Sequence, residues 1–218
     1  MLGLNNSLKL IVFDLDGTLV DCSEDLADAI NFVRAHEGLS PLPTGEVISH
    51  IGEGVGQLLD GCVFHQTPSA RHAALSQLYV DWYIANSLRR VTLYEGVKEF
   101  FSRPSLCHYA ILTNKLMVPT KKILDHFGLA DKMGVVVAAD TLKVKKPDPA
   151  ALYHIMKLFG CSSEQVLVVG DHHTDIAVAK AVGAACVFLS VGLGSLKEQV
   201  PDYTFPSFQT FSDWLLNK

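Results

Sequence analysis

The sequence predicts an α/β fold, a parallel sheet covered by helices on both faces. Two observations predict it. Short apolar runs rich in β-branched residues alternate with helix-like stretches along most of the 218 residues. Strands that are continuously apolar, rather than alternating, belong to parallel sheets buried on both sides. The residues with chemical potential also fall just after such runs, at Asp14, Thr113 and Asp171, and open α/β sheets bind their ligands at the carboxyl ends of their strands. One stretch breaks the alternation. From Cys22 to about Arg90 no convincing strand is read, only helical segments.

In order, the first strand is Leu8 to Phe13, an apolar run that stops at Asp14. The helical stretch follows, as Glu24 to His36, Gly45 to Ile51, Val55 to Phe64 and Ser69 to Asn86. Four more apolar runs read as buried strands: His108 to Leu112, Val135 to Ala138, Val166 to Val169 and Ala185 to Leu189. Helices are expected at Gly96 to Phe101, Pro119 to Phe127, Pro149 to Phe159 and Thr174 to Val182, two of them opening on proline. The tail from Pro201 to Lys218 reads as a last short strand and a closing helix, with Phe205, Phe208, Phe211 and Trp214 turned inward.

Composition sets outer limits. Hydrophobic residues make up 49%, which argues for a packed core rather than disorder. A net charge of −5 gives no electrostatic reason to expect nucleic acid or an anionic membrane as partner. An anionic substrate must then be drawn by local cations. Cys22, Cys62, Cys107, Cys161 and Cys186 are scattered and form no Cys-x-x-Cys pair, the pattern of free thiols in a reducing compartment. No signal peptide is read at the nearly uncharged start, and no stretch approaches membrane-spanning length, so a cytoplasmic location is expected.

Four motifs carry chemistry. In Leu10-Ile11-Val12-Phe13-Asp14-Leu15-Asp16-Gly17-Thr18-Leu19, residues 14 and 16 point the same way beyond a strand end. Two converging carboxylates repel unless a cation joins them, and oxygen ligands of this kind suit Mg²⁺. A solvated turn would account for Asp16-Gly17 but leaves Asp14 without a purpose. Ile111-Leu112-Thr113-Asn114-Lys115 offers a hydroxyl and backbone amides able to hold phosphate oxygens. Lys146-Pro147-Asp148-Pro149 sits among Lys143, Lys145 and Lys146, which alone reads as a solvated basic turn. Val168-Val169-Gly170-Asp171-His172-His173-Thr174-Asp175 places two aspartates four residues apart at a strand-to-helix junction. The adjacent histidines could invite a transition metal, yet no Cys or distant His completes such a site by spacing. Gly52-Glu53-Gly54-Val55-Gly56 follows a helical region rather than a strand, so it fails as a dinucleotide loop.

The four motifs, in this order, resemble the signature of the haloacid dehalogenase-like superfamily, whose phosphatases open with Asp-x-Asp-Gly-Thr-Leu. The resemblance implies a Rossmann-like parallel-sheet core formed by residues 1–21 and 93–218, with an inserted α-helical cap at 22–92 that rejoins at Leu93-Tyr94-Glu95-Gly96-Val97. It implies Asp14 as nucleophile and Asp16 as the acid and base. Thr113 and Lys146 would steady the phosphoryl group, with Lys143 the fallback for the lysine. Mg²⁺ would be held by Asp14, the Asp16 carbonyl and Asp171. Asp175 would hold a metal-bound water or Lys146. Thr18, Asn114 and the loop Gly52, Glu53 and Gly54 are expected to bind substrate. Asp16 disfavours the family's dehalogenases and phosphonatases. Asp21-Cys22-Ser23-Glu24-Asp25-Leu26-Ala27, Tyr79, Tyr83 and Asn114-Lys115 resemble phosphoglycolate phosphatases, so 2-phosphoglycolate is the expected substrate among small phosphorylated metabolites. A sugar-phosphate mutase, a pyrophosphatase or a nucleotidase of the same fold stays open, as does a non-catalytic scaffold. Arg89 and Arg90 could meet an acidic substrate, although a solvated pair is the plainer reading.

Overall fold

The structure, a computed structural model, describes residues 8–105 and 107–217. Met1 to Ser7, Leu106 and Lys218, which the sequence reading assigns to the core, lie outside them. In chain order the elements are β1 (Leu10–Phe13), β2 (Val20–Asp21), α1 (Ser23–His36), α2 (Thr44–Ile48), α3 (Val55–Cys62), α4 (His72–Asn86), β3 (Thr92–Leu93) and α5 (Val97–Ser102). They continue as β4 (His108–Leu112), α6 (Met117–His126), β5 (Val135–Val137), α7 (Pro149–Phe159), β6 (Val166–Gly170), α8 (His173–Val182), β7 (Ala185–Leu189), β8 (Tyr203–Phe205) and α9 (Phe208–Leu216).

Six strands form one parallel sheet in the order β5-β4-β1-β6-β7-β8. The first strand is therefore central, with β4 and β6 on either side of it. Phe13 is in register with Ile111 on one side and Val169 on the other. The sheet's side chains split by parity, as a period of two requires. Ile11, Phe13, Ile111, Leu167 and Val169 join the core on one face, against α5 and α9. Leu10, Val12, Ala110, Leu112, Val166 and Val168 join the core on the other, against α7 and α8. Phe13 meets Phe100, Phe101, Tyr109 and Phe208 at ring-centre distances of 5.6–6.0 Å. Pairs of this kind add about 0.5–1.5 kcal/mol each beyond the area they bury. In the tail Phe208 and Phe211 are fully buried, while Phe205 and Trp214 pack at their edge.

Helices α1–α4 occupy the region without sheet strands. The chain enters and leaves it side by side, because β2 and β3 form a two-residue antiparallel ladder pairing Val20 with Leu93 and Asp21 with Thr92. That ladder is absent from the sequence reading; two residues are too few for a periodic signal. Buried Asp25 reinforces the junction by accepting from the backbone N–H groups of Arg90 and Val91 at 3.1 Å. The helix expected to run to Phe64 ends at Cys62, and one-turn helices at Phe64–Gln66 and Ser69–Arg71 lead into α4. Pro68 holds Thr67 extended, which ends the first of these turns at Gln66. Among the described residues no helix is long and apolar enough to cross a membrane, and all five cysteines are free thiols.

Candidate active site

The order of strands assembles the site. Because β1 lies between β4 and β6, the residues just past their carboxyl ends, Asp14, Thr113 and Asp171, come together where the sheet order reverses. The Asp14 amide donates to Val169 O at 2.9 Å, which continues the ladder one residue beyond the strand. Its carboxylate is pinned at both oxygens: Oδ1 accepts from the Leu15 amide at 2.7 Å, and Oδ2 pairs with Lys146 Nζ at 2.9 Å. Asp16 points the same way and pairs through Oδ2 with Lys115 Nζ at 2.7 Å. Its Oδ1 is buried and has no hydrogen-bond partner among the described residues.

Between the two aspartates and Asp171 the chain turns at Gly17, whose φ of +81° suits glycine. A Cβ there would sit 2.0 Å from Asp171 Oδ2, so only a hydrogen lets the first loop approach the acidic one. Asp171 Oδ1 accepts from the Thr18 hydroxyl at 3.0 Å, and Oδ2 accepts from the amides of Leu193 and Gly194 at 2.8 and 2.9 Å. The hydroxyl of Thr18, a residue expected to bind substrate, is the one that donates to Asp171, and it thereby ties the first motif to the fourth.

Lys146 is the buried lysine of its cluster; Lys143 and Lys145 are exposed. Its Nζ bridges Asp14 and Asp175, the latter at 2.5 Å. Burial alone would lower its pKa, but Asp14 and Asp175 outweigh burial and hold it charged, well above the usual lysine range. Lys115 is held charged in the same way, Asp16 outweighing burial. Asp171 has no such cation. Burial, then Asp14 and Asp175, push its pKa up to about 8.

The carboxylates of Asp14, Asp171 and Asp175 each offer an oxygen within 4.8 Å of the others. Four buried or nearly buried carboxylates, counting Asp16, face two ammonium groups, Lys115 and Lys146. Once Asp171 gives up its proton, an excess of two negative charges is left on oxygen donors, which suits a hard dication such as Mg²⁺. The Asp16 carboxylate is not part of this group and pairs with Lys115 instead.

The histidines find structural work. His172 caps α8, its Nδ1 accepting from the Thr174 amide while Asp175 Oδ2 accepts from the His172 amide at 3.0 Å. Burial, then His173 and Lys146, push its pKa down to about 4, which keeps Nδ1 an acceptor. Its ring lies against Gly52, where a Cβ would come within 2.4 Å. His173 Nε2 and Lys197 Nζ both reach Glu53 Oε1, at 3.1 and 2.8 Å. Glu53, expected to bind substrate, thus fastens the helical insert to the sheet side.

A cavity of about 60 Å³ lies over Asp14 and Asp16. Thr113, Asn114, Lys115, Asp171 and His172 line its sheet side, and Gly52, Gly54, Val55, Leu58, Tyr79 and Tyr83 line the insert side. Asn114 Nδ2 donates to the carbonyls of Gly52 and Lys146 at 2.9 and 3.0 Å, so this side chain joins insert to core at the cavity rim. Arg89 and Arg90 do not line the cavity; Arg90 pairs with Glu24 and Asp28 on the surface. The sequence reading did not single out Lys115 as a site residue, although it is the cation nearest Asp16.

The comparisons agree with this geometry. A family model described as haloacid dehalogenase-like hydrolase matches residues 11–189. A phosphoglycolate phosphatase of Chromobacterium violaceum is 30% identical over 216 residues, covering 96% of this chain and 97% of its own. One of Rhodospirillum rubrum is 34% identical, with 95% and 90% covered. A crystal structure described as a predicted phosphoglycolate phosphatase from Haemophilus somnus superposes with a TM-score of 0.88 at 28% identity, covering 97% of this chain and 99% of the other. With its four motifs converging at the carboxyl end of a parallel sheet, the chain belongs to the haloacid dehalogenase-like hydrolases and is similar to their phosphoglycolate phosphatases.

Proposed function

We propose that this protein is a Mg²⁺-dependent phosphatase that hydrolyses a small phosphate monoester, 2-phosphoglycolate, through an aspartyl-phosphate on Asp14. The observation that carries the reading is the pair on one strand end. Asp14 is oriented at both oxygens, while Asp16 Oδ1 is buried beside it with no hydrogen-bond partner among the described residues.

Asp14 attacks phosphorus in line, and the bond to the ester oxygen breaks as Asp16 gives that oxygen a proton. Asp16 then takes a proton from water, which displaces Asp14 and releases inorganic phosphate. Lys146, touching Asp14 already, offsets charge on the transferring group, and the Thr113 hydroxyl donates to one of its oxygens. Asp14, Asp171 and the Asp16 carbonyl would hold the metal. When bound, it supplies positive charge against the nucleophile and the phosphoryl oxygens. Asp175 positions Lys146 and the start of α8. Residues 22–92 act as a cap whose closing contacts are those of Gly52, Glu53 and Tyr83 with Asn114, His173 and Lys115.

The relatives' names put 2-phosphoglycolate first. Phosphate release from 2-phosphoglycolate, pyrophosphate, nucleoside monophosphates and hexose phosphates, with Mg²⁺ or with chelator, tests the reading. Strong Mg²⁺-dependent turnover of 2-phosphoglycolate, lost in Asp14→Asn, is expected. Turnover that survives Asp14→Asn would overturn the mechanism.

A further inference from the structure

We propose that Lys115 and Tyr83 together select the substrate, by binding a carboxylate one carbon away from the ester oxygen that Asp16 serves. The inference rests on the phosphatase reading and adds to it the residues that recognise the non-phosphate end.

Lys115 Nζ donates to Asp16 Oδ2 and to the Tyr83 hydroxyl, each at 2.7 Å. An ammonium has three donors, and no third acceptor is found among the described residues. Tyr83 spends its oxygen as acceptor for Lys115. Burial drives its pKa well above the usual tyrosine range, so its proton remains available to donate. Both residues line the cavity beside Asp14 and Asp16. One N–H from the sheet side and one O–H from α4 therefore converge next to the acid that meets the leaving oxygen.

Charge elsewhere on the wall narrows the choice. Among the described residues Lys115 is the only lysine or arginine lining the cavity. Lys146 turns to Asp14 and Asp175, and Lys145 to the Glu53 carbonyl. Apart from the neutral Tyr79, the rest of the insert side is largely apolar, with Leu26, Ile51, Val55 and Leu58. A second anionic group on the substrate has one place to go, and that place touches Asp16. A carboxylate separated from the ester oxygen by one methylene reaches it. A longer acid pushes its carboxylate toward the apolar wall, where it is desolvated without a partner.

The test compares 2-phosphoglycolate with 2-hydroxyethyl phosphate, an ester of similar length with an uncharged hydroxymethyl group in place of the carboxylate, in the wild type, Lys115→Met, Lys115→Arg and Tyr83→Phe. The readout is the ratio of the two kcat/KM values, which cancels any loss of folded enzyme and any general damage to Asp16. A charge-assisted hydrogen bond lost from one ester alone lowers that ratio by roughly 10- to 150-fold in Lys115→Met. Lys115→Arg should retain most of the preference, and Tyr83→Phe should lose a smaller part of it. Equal loss for both esters would make Lys115 a support for Asp16 only and would overturn the proposal. So would a wild type that does not prefer the carboxylate ester. If neither ester turns over, the reaction assignment fails separately, and calorimetry decides this point. Tighter binding of 2-phosphoglycolate to Asp14→Asn than to Asp14→Asn/Lys115→Met, by tenfold or more, supports the carboxylate site; equal affinities overturn it.

Discussion

Removing divalent cation should destabilise this protein, and more so as pH rises. The reason lies in Asp171, whose carboxylate stands within 4.8 Å of Asp14 and Asp175 with no ammonium of its own. At an effective dielectric constant near 20, two unit charges at that separation repel by about 3 kcal/mol. Lys146 relieves Asp14 and Asp175 directly and Asp171 only at a distance. Without metal the carboxyl keeps its proton instead, with a pKa pushed up to about 8. A folded carboxyl that binds its proton more tightly than the unfolded chain contributes stability at low pH. That contribution falls away as pH rises from about 4 through about 8. A cation competes with that proton, so its apparent affinity weakens by roughly fiftyfold from pH 8 to pH 6.

At a Mg²⁺ concentration 100 times the apparent Kd at pH 8, binding contributes about 2.7 kcal/mol, or roughly 5–11 °C in Tm for a chain of this size. The same concentration at pH 6 gives about 0.6 kcal/mol, or roughly 1–3 °C. Thermal melts with Mg²⁺ and with chelator at the two pH values read this directly. Asp171→Asn removes the repulsion but keeps an oxygen for the Leu193 and Gly194 amides. It should be as stable as the wild type or more so in chelator at pH 8, and show no Mg²⁺ shift. A shift of equal size at pH 6 and pH 8, or an undiminished shift in Asp171→Asn, would refute the argument.

Lys146→Met leaves Asp14 and Asp175 buried without their cation and should cost about 3–5 kcal/mol in urea unfolding at pH 8. The cost should be smaller at pH 5, where Asp175, whose pKa burial pushes up to about 6, takes up a proton, and turnover should be lost at both. Gly17→Ala combines a φ of +81° with a Cβ 2.0 Å from Asp171 Oδ2, so destabilisation above about 3 kcal/mol is expected, with activity loss to match. Glu53→Gln weakens the pairs with His173 and Lys197, which are partly exposed and together contribute about 1 kcal/mol or less. KM should rise severalfold at low ionic strength, and the difference should vanish in high salt.

Much of the site was legible because it is written in local pattern. Period two places Asp14 and Asp16 on one side of a strand end, and apolar runs locate the ends that bear Thr113 and Asp171. The fold class follows from the same runs. Which strands are neighbours does not, and the partners of the site side chains depend on neighbours. Lys143, Lys145 and Lys146 are equivalent as a basic turn; only burial against Asp14 separates them. Thr18 looked substrate-facing because its partner, Asp171, lies 153 residues away. Glu53 looked so for the same reason, with His173 at 120.

His172 and Lys115 show the two limits most clearly. The adjacent His172 and His173 could invite a transition metal, but no Cys or distant His completes such a site by spacing. An imidazole nitrogen can also cap a helix, provided it is neutral and faces a backbone amide, and the buried junction of β6 with α8 meets both conditions. The residue type was informative, but the chemistry it served was local structure. Lys115 is the converse. Nothing in Thr-Asn-Lys distinguishes a surface lysine from one beneath a cap, yet β4 beside β1 brings it to Asp16, and α4 closes over it with Tyr83. Loss of the ammonium at position 115 would leave Asp14, Asp16, Lys146 and Asp171 in place and should still change which phosphate esters the site accepts.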